Sequence, residues 1–207
     1  MRINTLVVIL FFSLNAFAQK SGSHEISFGV GVNFPNEDSP LNVVGERELP
    51  SRFVGNGAYR VYLTELVAVG VRGAITSSKL NDYVVQKSGS STTENINFSL
   101  TTLNAGLESQ IYLSSRGQIR PYLTLQLLYC ENSLTASNYG SLENQGFLAG
   151  GGLGIRVKIT ESILLSAEGF GLFGSANWKQ KPFNNSSSDE FNPSSIRALF
   201  NVAFLIK

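Results

Sequence analysis

From His24 onward the chain passes through eight stretches in which apolar and polar residues alternate, and the connections between them run long, short, long, short. Few folds accept that rhythm. Alternation with a period of two gives each stretch two unlike faces, as a half-apolar β-strand has. The regular change in connection length is that of an up-and-down antiparallel barrel, with tight turns at one end and longer loops at the other. The hairpin from Tyr59 to Gly73 shows it best. Tyr59, Val61, Leu63, Val67, Val69 and Val71 hold the odd positions, while Arg60 and Arg72 share the even ones with Tyr62, Ala68 and Gly70.

Read this way, the strands are expected at 25–34, 53–63, 67–76, 97–113, 119–130, 147–159, 163–173 and 196–207. The fourth is expected to bend or bulge, because Phe98 and Leu100 fall out of phase with Leu103, Leu107 and Ile111. In the seventh, Leu164, Phe170 and Leu172 blur the alternation. Short turns are expected at 64–66, 114–118 and 160–162, and long Ser-, Asn- and Gly-rich loops at 35–52, 77–96, 131–146 and 174–195.

The first residues read as an export signal. Arg2 supplies the positive start, Leu6 to Phe12 is an apolar run, and Ala16-Phe17-Ala18 is a small-x-small cleavage site. Residues 1–18 are therefore expected to be a signal peptide and 19–207 a single barrel domain. No Cys follows the cleavage site, which argues against a lipid anchor. Cys130 is the single cysteine, so no intramolecular disulfide forms. Charged residues make up 15% and the net charge is +1, which leaves no basic patch for nucleic acid. Beyond the first residues no run reaches the ~18 apolar residues of a membrane helix. An exported, charge-poor chain without such a helix spans a membrane only as a closed barrel.

The charges say which face meets lipid. Glu25, Arg60, Arg72, Glu108, Arg120, Arg156, Lys158, Glu168 and Arg197 lie within the expected strands, each on the phase opposite the better apolar set. An Arg or Lys turned to lipid at the bilayer midplane costs about 2–4 kcal/mol. These residues are accordingly expected in the lumen, where acids and bases of neighbouring strands pair. On the lipid-facing phase, Phe34, Phe53, Tyr129, Phe147 and Phe173 each fall where a strand meets a long loop, as an outer aromatic girdle would.

Catalytic signatures are weak. Gly169 to Gly174 fits the dinucleotide pattern G-x-G-x-x-G, but the mechanism needs a helix N-terminus next, and a loop sequence follows. The only His, His24, stands at the periplasmic start of the first strand, too far from outer-leaflet substrates to serve a nucleophile as base. One His and one Cys offer no metal cluster, and no cofactor is expected. The sequons at Asn97 and Asn185 have little use in a bacterial exported protein.

The signal segment, the hairpin Tyr59–Gly73, the strand from Gly150 to Ile159 and the alternation of Phe200, Val202, Phe204 and Ile206 together resemble the small Gram-negative outer-membrane β-barrels of the OmpA/OmpX type. The resemblance covers the mature chain and rests on residue classes, so it speaks to architecture more than activity. It implies an all-β, antiparallel transmembrane barrel of about eight strands in the cell outer membrane; the weak catalytic signatures are why no enzymatic activity is expected. It also implies outer-membrane lipid and the barrel-assembly machinery as partners. Members of that family commonly end on an aromatic residue, whereas this chain ends on Lys207.

With about eight strands the interior is just wide enough for side chains to fill. The expected protein is a monomer with a lumen plugged by paired charges and a structural or surface-interaction role. Outer-loop residues Val84, Val85, Tyr139, Trp178 and Phe183 are its candidate contacts with a surface ligand. A narrow channel for small solutes, or a soluble lipocalin-like periplasmic barrel, are the alternatives.

Overall fold

The computed structural model describes residues 22–35, 52–86, 93–114, 117–136, 140–178, 190–191 and 193–206. The expected signal peptide 1–18, Tyr139, Phe183 and Lys207 lie outside them, as do the side chains of Val84, Val85 and Trp178. Nine strands follow in order: β1 His24–Pro35, β2 Arg52–Tyr62, β3 Val67–Gln86, β4 Thr93–Tyr112, β5 Ile119–Ala136, β6 Gly140–Lys158, β7 Ile163–Trp178, β8 Glu190–Phe191 and β9 Ser195–Ile206. All neighbours are antiparallel, β6 pairs with β7, and β9 returns to β1, so the sheet closes on itself. β8 and β9 lie against β7 in one unbroken register, giving eight staves in all. Among the described residues no helix is long and apolar enough to cross a membrane, which does not bear on crossing by strands.

The register sets the dimensions. Followed once around the barrel from His24, the paired residues are Val61, Val69, Ser109, Leu125, Gly151, Gly171 and Ile196, and the line returns to β1 at Phe34. It has climbed from 24 to 34, a shear of ten residues over eight staves. With about 3.3 Å per residue and about 4.8 Å between strands, that shear tilts the strands by about 40° and gives a backbone radius of about 8 Å.

The outer wall is apolar to a fixed height and polar above it. On β5, Ile119, Leu123, Leu125, Leu127 and Tyr129 face outward and exposed. Ten residues of a strand so tilted rise about 25 Å, the height of a barrel's lipid-facing band. Once the climb of the register is allowed for, Phe34, Phe53, Tyr129, Phe147 and Phe173 fall within about 3 Å of one level. All five are exposed, and Tyr129 and Phe147 are cross-strand partners in edge contact at 5.8 Å. Above them the outward residues change to Ser77 and Lys79 on β3, Glu131, Ser133 and Thr135 on β5, Gln145 and Glu143 on β6, and Ser175 and Asn177 on β7.

Three expectations need correction. Tyr129, Phe147 and Phe173 do not mark strand ends, because β5, β6 and β7 continue past them. Both faces of those extensions are largely polar, so the alternation fades while the backbone pairing persists. The irregularity expected in the fourth strand belongs instead to the β3 side of the β3–β4 pair, between Leu80 and Tyr83. Leu100 needs no bend, since it points inward while Leu103 points out. Lys158 ends β6 exposed beside the turn and is not a lumen residue.

Two of the turns solve the same problem with the same residues. The Thr64 Oγ1 accepts from the backbone N–H of Leu66 at 3.1 Å and Val67 at 3.0 Å. In the other, Thr160 Oγ1 accepts from Ser162 at 3.2 Å and Ile163 at 3.0 Å. Each hydroxyl satisfies backbone donors that a tight turn would otherwise leave without a partner. In the third, Gly117 has φ of 107°, a region open to glycine at little cost.

Candidate functional site

Inward positions fill the lumen in storeys. At the end carrying the short turns lies a chain of alternating charges: Arg156, Glu25, Arg60, Glu108, Arg72 and Glu168. Arg156 Nη1 stands 2.7 Å from Glu25 Oε2, and Arg60 Nη1 2.5 Å from Glu25 Oε1. The Arg60 Nε meets Glu108 Oε1. On the far side of Glu108, Arg72 Nε is 2.8 Å from Oε2, and Arg72 Nη1 is 2.5 Å from Glu168 Oε1. Six strands contribute, and every member is at most 4% exposed. With three arginines and three glutamates the chain is neutral. Each internal member therefore touches two opposite charges, the arrangement in which burial of ions is tolerated.

Tyrosines and amides complete this storey. Tyr62 donates to Glu25 Oε2 at 2.6 Å, Tyr122 to Glu168 Oε2 at 3.0 Å, and Tyr112 to Gln110 Oε1 at 2.7 Å. Arg156 donates to the Tyr62 hydroxyl at 2.5 Å and to that of Tyr112, and it lies over the Tyr112 and Tyr122 rings at 5.2 and 5.4 Å. Gly154 makes room: a Cβ there would stand 2.3 Å from the Tyr122 ring, its cross-strand partner. Asn201 Nδ2 adds a bond to Glu168 Oε1 at 3.2 Å.

Above the charges an apolar cluster occupies part of the lumen, beside the inward polar residues Asn33, Arg52, Asn104 and Arg197. Val54, Ala74, Leu128, Cys130, Leu148, Phe170, Leu172, Ala176 and Leu199 form one buried cluster. Arg72 lies 5.6 Å over the Phe170 ring and joins the two storeys. Beyond the cluster Thr102 donates to Asn132 Oδ1 at 2.6 Å, and Asn132 Nδ2 to Asn144 Oδ1 at 2.6 Å. The sequence reading missed the apolar storey. Its signal was present in the blurred alternation of the seventh strand, where Phe170 and Leu172 of the cluster point inward.

Arg120 and Arg197, expected in the charge network, stand apart from the chain. Arg120 sits half-buried at the short-turn rim, donating to Ser114 O at 3.0 Å and to Glu65 O, with Tyr112 beneath it at 4.4 Å. Arg197 is buried in the outer half, where its Nε donates to Asn33 Oδ1 at 2.7 Å. His24 Nδ1 shares a 2.6 Å hydrogen bond with the Tyr59 hydroxyl on the outer wall, and the two rings stack at 5.8 Å. Gly169 to Gly174 lies within β7, which continues as strand to Trp178 where a pyrophosphate-holding helix would have to begin. Among the described residues no group of His, Cys, Asp or Glu is placed to hold a metal ion. A groove of about 630 Å³ lined by Tyr59, Val69, Val71, Leu107, Ser109 and Leu125 lies on the outer wall and belongs to the apolar band.

No protein-family model matches the chain, and no curated protein does. Solved structures do. The crystal structure of Neisserial surface protein A is similar with a TM-score of 0.58 at 12% identity, over 89% of this chain and 97% of that one. The outer membrane protein OprG of Pseudomonas aeruginosa gives 0.58 at 13%, over 90% and 97%. Ail of Yersinia pestis, solved in complex with the heparin analogue sucrose octasulfate, gives 0.51 at 12%, over 90% and 99%. The fold of this chain is thus the closed eight-stranded antiparallel β-barrel of small outer-membrane proteins.

Proposed function

We propose that the protein is an integral outer-membrane barrel whose lumen is closed, and that it acts as a structural or surface-interaction element and not as a channel or an enzyme. In this reading residues 1–18 direct export, the outer wall meets lipid, and the five aromatics at one level form the girdle at the outer interface. The loops that join the strand extensions then face the cell exterior. The observation that carries it is the filled cross-section. A barrel of about 8 Å backbone radius has room for little beyond its own side chains, and here an ionic storey and an apolar storey follow one another across it. Ail, to which the chain is similar in fold, was solved with a sulfated sugar bound, and loops on a rigid scaffold are where binding commonly resides.

Conductance of the purified protein in planar bilayers tests this reading. We expect a silent membrane over hours at about 100 mV, because solutes would have to displace ion pairs from a low-dielectric interior. A steady pore, seen in every preparation and scaling with protein, would establish the narrow-channel alternative instead.

A further inference from the structure

We infer that the outer half of the lumen holds a binding site for a doubly charged oxyanion, a phosphate or sulfate group, built on Arg52, Asn33 and Arg197. Asn33 on β1 is the direct register partner of both Arg52 on β2 and Arg197 on β9. The three side chains thus form a row on adjacent strands, all inward, with exposures of 3%, 5% and 3% in the order Asn33, Arg52, Arg197. The contacts of Arg197 are neutral: Asn33 Oδ1 at 2.7 Å and, with the Asn104 amide oriented to bond, Asn104 Oδ1 at 2.5 Å from Nη2.

The charge count leaves this row in excess. Below it the three arginines and three glutamates of the ionic chain already balance one another in charge. Among the described residues no carboxylate forms an ion pair with Arg52 or Arg197. The Nε of Arg52 is buried without a hydrogen-bond partner. Two guanidinium groups held out of water, with a donor left over, are unfavourable as they stand. They become favourable when an anion bridges them, and the planar fork of Arg suits a tetrahedral oxyanion better than a halide.

β1, β2 and β9 stop at the level of the outer aromatics, whereas β3 to β7 rise beyond it. The row therefore lies near the tops of these three strands, close to the level of the outer aromatics. The same oxyanion chemistry could arrive free or carried on a lipid. The inference does not depend on whether the lumen conducts.

The test uses the full mature chain refolded in octyl glucoside, a detergent without phosphate or charge. Its unfolding midpoint is read from heat-dependent gel migration while inorganic phosphate is titrated against chloride at matched ionic strength. For a free ligand we expect a saturable rise with phosphate alone, about 5–10 °C once phosphate exceeds its Kd about 100-fold. In Arg52→Gln, which leaves the ionic chain and the Arg197 contacts in place, the rise should vanish although the protein still folds. A parallel arm compares glycolipid vesicles with and without a phosphorylated outer-leaflet glycolipid. An Arg52-dependent rise seen only there assigns the oxyanion to lipid. If neither arm shows a rise, if chloride matches phosphate, or if Arg52→Gln retains the response, the site does not exist.

Discussion

Replacing Glu108 with alanine is expected to lower the unfolding free energy by about 3–5 kcal/mol, the cost of leaving buried charge without its partner. Glu108 is the link between two arginines: its Oε1 meets Arg60 and its Oε2 stands 2.8 Å from Arg72. Both arginines are nearly inaccessible, so water cannot replace the carboxylate. Removing this internal link divides the chain, whereas removing Arg156 would shorten it from one end. Urea unfolding of the vesicle-reconstituted protein, followed by fluorescence, reads the change. A loss below about 1 kcal/mol, the range of exposed pairs, would show that the ionic storey is hydrated and not buried.

The second large effect is expected on the outer wall. Leu125 lies near mid-height of the apolar band on β5, and Ser133 lies on the same face of the same strand above Tyr129. Leu125→Arg should cost about 2–4 kcal/mol in vesicles, and Ser133→Arg about 0–1 kcal/mol. The contrast separates lipid burial from any general dislike of arginine in strand β5. Equal costs at the two positions would contradict the membrane placement, and a small cost at both would favour the soluble barrel.

How much of this was legible in the chain follows from what lipid demands of a strand. Between the short turns and the aromatic level one face must be apolar, so Tyr59–Gly73 and Leu123–Tyr129 display their period plainly. Above that level the outward positions turn polar, and Ser77, Glu131 and Gln145 take the places that Val71, Leu127 and Leu153 hold below. Strand pairing there rests on backbone bonds with little side-chain signature. The sequence reading therefore ended β3, β5 and β7 too early and began β4 and β6 too late.

The lumen was harder to read because its face carries no single demand. Charge marked Glu25, Arg60, Arg72, Glu108, Arg156 and Glu168, but pairing order depends on shear, which no one strand contains. Inward Leu164, Phe170 and Leu172 on β7 read as a blur in the alternation. Arg52 fell in a region read as loop, although it shares the phase of Val54, Arg60 and Tyr62. Its parity was the available clue.

Greasy side chains face outward and the ion-paired chain faces in. Quenching of a single tryptophan by lipids brominated along the acyl chain reads that directly, with Trp178 replaced by Phe and a tryptophan placed either at Leu125 or at Leu128. These positions differ by three residues on one strand and point to opposite faces. Strong quenching at Leu125 with little at Leu128 is the predicted result. Strong quenching at Leu128 with little at Leu125 would mean that the barrel is turned the other way, with its charges on the outside.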